Sequence, residues 1–297
     1  MARPGHRAGL RHWGGAADTT TPAPRADRAV SWWRRARPGL PDGWTGIVER
    51  SVAHWQLLDD DERARLADLM EELLTTKRWE AAHGFSLTDE IRTVLAAQAS
   101  LLVLELGLGL YDDIGAIIVH PTTMTRHTRG YPGPAGTVID GALPLLGQTQ
   151  HRGPILLAWD TARANARRPE WGHDVVLHEF AHVLDLIDHV ADGTPPLPED
   201  VPRDRWIEVW SRELVALRAG VGCRLLSAYA ATNPGEMFAV ATEVFFCRPV
   251  ELQADRPQLY ALLRAYYGQD PAVRARRSRA GSPPSRPHRP PPVRPRR

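Results

Sequence analysis

A chain of 297 residues with 43 % hydrophobic content can bury a substantial core, as one large domain or two modest ones. Its formal charge of +2 hides an asymmetry: residues 1–50 sum to +5, residues 272–297 carry nine Arg and no acid, and residues 51–271 sum to −12. An acidic body with basic ends argues against a nucleic-acid-binding fold, because the cations lie where hydrophobic patterning is weakest. No apolar run is long enough to span a bilayer, and the basic N-terminus lacks the apolar stretch a secretory signal needs. The expectation is therefore a cytoplasmic protein with no membrane partner. Cys223 and Cys247 match no zinc-knuckle or redox spacing and read as small buried hydrophobes.

Residues 1–30 are rich in Arg, Ala, Thr, Pro and Gly without periodicity and are expected to be a disordered leader. Trp32, Trp33, Leu40, Trp44 and Ile47 begin a domain expected to run over 31–271. The stretch from Trp55 to Trp79 reads as a helix capped by Asp59 or Asp60, with Leu66, Leu69, Met70, Leu73 and Leu74 at helical spacing. Thr88-Asp89-Glu90 opens a second, buried helix from Ile91 to about Leu106. Three short apolar runs then read as strands: Gly115–Val119, Gly136–Leu143 and Pro154–Trp159. The last is a candidate edge strand that pairs with an extended substrate backbone. Further helices are expected over Trp206–Leu217, from Pro234 through Phe246, and over Gln258–Tyr267, with an Arg/Pro tail over 272–297. The composite is an α+β domain, mostly helical and zincin-like, with a small sheet preceding its central helix.

That central helix carries the chemistry. Asp174 is followed by Val175-Val176-Leu177-His178-Glu179-Phe180-Ala181-His182-Val183-Leu184-Asp185, apolar nearly all round and therefore buried. His178 and His182, four apart, lie on one face and can present two imidazoles to one ion. Glu179, one step round, stands where a general base for an activated water belongs. Burying two imidazoles with two carboxylates, Glu179 and Asp185, is costly unless each is paired or holds a metal.

A catalytic zinc site needs a third protein ligand. Asp188 and His189 follow on the same segment, but on a continuing helix Asp188 points away from the histidine pair. Glu236 and Glu243 lie seven apart on one face of a later helix. Asn233-x-x-Glu236 also fits a capping box, in which the glutamate would serve the helix end alone. A first-turn carboxylate is well placed to reach a neighbouring helix, so Glu236 is the favoured ligand. Glu243, with Asp185, is then expected behind the ligands, holding an imidazole N–H. Two imidazoles and a carboxylate suit one Zn2+ per chain.

The stretch His178–Asp185, together with Tyr229-Ala230-Ala231-Thr232-Asn233-Pro234-Gly235-Glu236 and its continuation to Phe246, resembles the Mlc titration factor A family of zinc-dependent peptidases. Their catalytic domain is related to that of anthrax lethal factor, and the likeness covers about residues 40–270. It implies a gluzincin-type metallopeptidase, with aminopeptidase action as one mode. His178, His182 and Glu236 would be the zinc ligands, Glu179 the catalytic glutamate and Tyr229 the active-site tyrosine. Read from its position alone, Tyr229 is equally a packed aromatic at a helix end. The resemblance further implies a peptide or protein substrate. It also brings an alternative: a regulatory protein that sequesters a transcriptional repressor of sugar uptake.

Overall fold

The computed structural model describes residues 39–82, 84–122, 153–221 and 224–281. Helix α1 (Trp44–Ser51) leads through a 3-10 turn at Ala53–Leu57 into α2 (Asp60–Thr76). The start of α2 is fixed by a complete capping box: Asp59 accepts from the Glu62 amide, and the Glu62 side chain accepts from the Asp59 amide. The helix therefore begins five residues later than Trp55, because Ala53–Leu57 forms a tighter turn of its own. Strand β1 (Trp79–Ala81) was not foreseen; three residues are too few to show an alternation.

Helix α3 (Asp89–Leu102) starts where Thr88 caps it by accepting from the Ile91 amide, and all but its first few residues are buried. Strands β2 (Ile117–His120) and β3 (Ile155–Ala158) follow, and the sheet runs in the order β1-β2-β3 with both pairings parallel. β3 is thus an edge among the described strands. Its alternation puts Ile155 and Leu157 inward and Leu156 outward. The strand expected at Gly136–Leu143 lies outside the described residues, as do the leader and Cys223.

Chain order then gives α4 (Trp159–Arg167), α5 (Val175–Asp185), α6 (Arg203–Arg218), α7 (Pro234–Cys247), α8 (Pro249–Asp255) and α9 (Pro257–Tyr267). α5 and α7 pack on each other at the centre, with β3, α3 and α4 against α5. Both are buried on nearly every side, which is why each reads as apolar almost all round. An aromatic cluster of Trp206, Trp210, Phe238, Tyr266 and Tyr267 backs the start of α7. Cys247 is buried, as expected of a small hydrophobe.

The C-terminal boundary needs correction. Residues assigned to a tail form helix α10 (Pro271–Gly281), which packs on α8 and on the turn before α2. Composition masks this, because only Pro271, Ala272 and Arg274 are clearly buried and the helix is rich in arginine. Arg274 pairs with Glu62 at 2.7 Å and bonds Gln269 at 2.8 Å.

Candidate metal centre

Two helix starts build the site. At α5, the Asp174 carboxylate accepts from the amides of Val176 and Leu177 at 3.0 and 3.1 Å. Asn165, reaching from α4, accepts from the Val175 amide at 3.2 Å. The exposed donors of the first turn are thereby satisfied by side chains from two elements. At α7, Asn233 accepts from the Glu236 amide at 2.8 Å, with Pro234 in the first turn. Only half of the capping box forms: Asn233 caps the helix, and the Glu236 carboxylate turns across to α5.

The result is one cluster. Glu236 Oε2 lies 3.2 Å from His178 Nε2 and 3.4 Å from His182 Nε2, and the two Nε2 atoms are 3.2 Å apart. Among the described residues, these three side chains are the group able to share an ion. The spacing tests the fit directly. Zinc bonds of about 2.0–2.1 Å at tetrahedral angles place neighbouring ligand atoms roughly 3.3–3.4 Å apart. Glu236 Oε2 is also buried with no donor in hydrogen-bond geometry, so a carboxylate oxygen and two imidazole nitrogens converge where positive charge, from a metal ion or from a proton on an imidazole, offsets the cost of burial.

Electrostatics say the same. Burial opposes ionisation of Glu236, yet the two imidazoles outweigh it and hold the carboxyl well below the usual carboxylate range. Burial likewise opposes a charge on His178, and Glu243, Glu236 and Glu179 overcome it and raise its pKa well above the ordinary value. Glu243 is placed behind the cluster: one oxygen lies 2.7 Å from His178 Nδ1, the other accepts from the Asp174 amide at 2.7 Å, and His173 Nδ1 stands 3.8 Å away. A carboxylate at Nδ1 fixes the tautomer that directs the Nε2 lone pair into the cluster.

Glu179 is half-buried beside the cluster, near enough for its charge to act on His178 and Tyr229. Tyr229 stands in the 3-10 turn Ala228–Ala231, its ring centroid 6.2 Å from that of His178. Burial, then the carboxylates of Glu236 and Glu179, keep its hydroxyl protonated. Asp188 and His189 are exposed beyond the end of α5 and take no part in the cluster. Asp185 is buried, but it stands against Gly235 rather than hydrogen-bonded to an imidazole. Burial pushes its pKa up to about 7, only partly offset by the Gly193 amide and His182. Asn165 had no sequence signal, since its partner lies on another helix. Asp174 did have one, as a cap residue directly before an apolar run.

A buried helix bearing two imidazoles, met by a first-turn glutamate from a second helix, is the donor set of a metallopeptidase. The chain belongs to the glucose-regulated metallo-peptidase M90 family, whose model matches residues 28–268. It is 35 % identical over 239 residues to the uncharacterized protein slr2042 of Synechocystis sp., covering 79 % of this chain and 86 % of that one. It is similar to Mlc titration factor A of Edwardsiella ictaluri, 30 % identical over 256 residues (82 % of this chain, 95 % of the relative), and to that of Serratia proteamaculans, 32 % over 234 residues (75 % and 86 %). No helix among the described residues is long and apolar enough to cross a membrane.

Proposed function

We propose that this protein is a zinc-dependent peptidase that hydrolyses peptide bonds with Glu179 as general base. The observation that carries the reading is the convergence of His178, His182 and Glu236 at tetrahedral-ligand spacing with a carboxylate beside them. His178, His182 and Glu236 would hold the ion, leaving a position for water and substrate. When bound, zinc would supply Lewis acidity, lowering the pKa of a water to about 7 and polarising the scissile carbonyl.

The remaining work falls to the chain's own side chains. Glu179 takes the proton of the attacking water and passes it to the leaving amine. Tyr229, kept protonated by its surroundings, donates a hydrogen bond to the oxyanion that develops on the carbonyl. Glu243 keeps His178 in its donor tautomer. β3, at the edge of the described sheet and packed on α5, is suited to pair with an extended peptide. The experiment is metal analysis beside an unbiased peptide-library digest, with and without chelator. One equivalent of zinc and chelator-sensitive cleavage support the reading, and cleavage that survives metal removal defeats it. The termini of the products separate aminopeptidase from endopeptidase action.

The relatives' name, Mlc titration factor A, favours a second reading, in which the protein acts by binding a transcriptional repressor. A half-buried Glu179 beside the cluster weighs against binding alone, because a structural zinc site has no use for it. Repressor binding that persists in Glu179→Gln, with no hydrolysis by wild type, would favour this second reading.

A further inference from the structure

The end of α5 and the start of α7 meet at a second point, away from the imidazoles. Asp185 closes α5 with its side chain fully buried, and neither carboxylate oxygen has a partner in hydrogen-bond geometry. It lies on the backbone of Gly235, the residue before Glu236: a Cβ there would stand 3.0 Å from Asp185 Oδ2. From the other side, the loop leaving α5 returns at Gly193, whose φ is +74°. A Cβ on Gly193 would lie 2.5 Å from the Pro234 carbonyl oxygen and 2.6 Å from Trp210 Nε1. The Gly193 carbonyl accepts from Trp206 Nε1 at 3.0 Å, fixing that loop to α6.

Two glycines thus bring three backbone segments together around one carboxylate. Buried donors lie nearby. The Gly193 amide is directed at Asp185 without meeting full hydrogen-bond geometry, and Trp210 Nε1 and the Tyr266 hydroxyl are buried with no acceptor of their own. Tyr266 is close enough to feel the Asp185 charge. A buried carboxylate without a partner is costly unless such donors surround it.

We propose that Asp185 is a positioning residue for Glu236, setting through Gly235 where the first turn of α7 meets His178 and His182. The inference rests on the metal reading above. Asp185 touches no reacting group in this role. It locks the end of the helix that supplies two ligands to the start of the helix that supplies the third, so the three keep their spacing before an ion arrives.

The test is zinc affinity of the full chain, measured by competition with a chromophoric chelator, alongside the melting temperature of the zinc-free protein. Asp185→Ala is expected to weaken zinc binding about 10–100-fold. Asp185→Asn, which keeps the volume and an acceptor, stays close to wild type. Gly235→Ala weakens binding from the opposite side, and in the Asp185→Ala background it adds little, because the oxygen its Cβ would meet is gone. If Asp185→Ala does not fold, Gly235→Ala decides.

A merely structural Asp185 would lower the zinc-free melting temperature and leave zinc affinity at the wild-type value. That result, or additive losses in the double variant, overturns the proposal while the metal reading stands. Failure of wild type to bind one equivalent of zinc sinks both.

Discussion

Glu243 ties the N-terminus of one helix to an imidazole on the same helix. Its Oε1 lies 2.7 Å from His178 Nδ1, and its Oε2 accepts the Asp174 amide at 2.7 Å. Asp174 in turn caps α5, so a single carboxylate from α7 holds both the helix start and the ring four residues into it. Burial opposes its charge, but His178, His173 and the Asp174 amide keep its pKa below the ordinary value. Glu243→Ala should therefore weaken zinc binding about 10–100-fold. Glu243→Gln should fall between that variant and wild type, because an amide can accept only one of the two bonds. Equilibrium zinc titration checks both, and wild-type affinity in Glu243→Ala would contradict the role.

Glu179 and Tyr229 are expected to separate chemistry from metal binding. Neither belongs to the three-residue cluster, so Glu179→Gln and Tyr229→Phe should each retain one equivalent of zinc. Loss of the general base should lower kcat by about 10²–10⁴. Loss of the oxyanion donor should lower it by about 10²–10³, with KM little changed. Peptide hydrolysis measured beside metal content in the same preparations decides. A Tyr229→Phe variant with full activity would return Tyr229 to the role of a packed aromatic.

Much of this centre was legible because helical periodicity is local. His178, Glu179 and His182 declare one face within five residues, and Asn233-Pro234 marks a helix start that puts Glu236 in its first turn. What Glu236 does with its side chain was open until the tertiary contact was visible, because a capping box and a ligand share the same sequence. Asp185 shows the limit more sharply. Its type and position suggested support for an imidazole, but its oxygen lies against Gly235, fifty residues on, and no spacing rule reaches that far. Asn165 on α4 caps α5 through a similar non-local contact. At α10 the difficulty was composition: buried Ala272 and Arg274, the latter paired with Glu62 across the fold, anchor a helix whose arginine-rich sequence reads as tail.

Acid should destabilise the fold through His54 as well as through its carboxylates. Burial lowers the His54 pKa to about 4, and nearby Arg274 adds to this against the opposing bond to the Phe246 carbonyl. The neutral ring donates from Nε2 to that carbonyl at 3.2 Å, while Nδ1 is buried without a partner. Above pH 6.5 both folded and unfolded chains carry a neutral ring, and His54 contributes no slope. Between about 6.5 and 4 the unfolded chain binds the proton first, so stability falls as pH falls. The loss saturates near pH 4 at about 3 kcal/mol. Urea unfolding from pH 7.5 to 4 should show this decline, and His54→Gln should flatten it. An unchanged slope in the variant would assign the acid sensitivity elsewhere.

The helix beyond the family match should contribute to the stability of the whole domain. Arg274 reaches from α10 to Glu62 at 2.7 Å, and Glu62 is the residue whose carboxylate also completes the capping box of α2. Arg277 adds longer contacts to Asp59 and Glu62 at 3.6 and 3.8 Å, but it is half-exposed and should matter less. Both partners of the Arg274 pair are largely buried, so removing the guanidinium leaves a carboxylate with its main counter-charge gone. Arg274→Ala should cost about 2–3 kcal/mol and lower the melting temperature by about 5–10 °C, against a small change for Arg277→Ala. Because Arg274 also disfavours the proton on His54, its removal should raise the folded-state pKa of His54, so that the His54-linked loss between pH 6.5 and 4 becomes smaller and saturates at a higher pH. Differential scanning calorimetry of the two variants at pH 7 and pH 5 measures both effects, and equal melting temperatures for Arg274→Ala and Arg277→Ala would show that the buried pair carries no special weight.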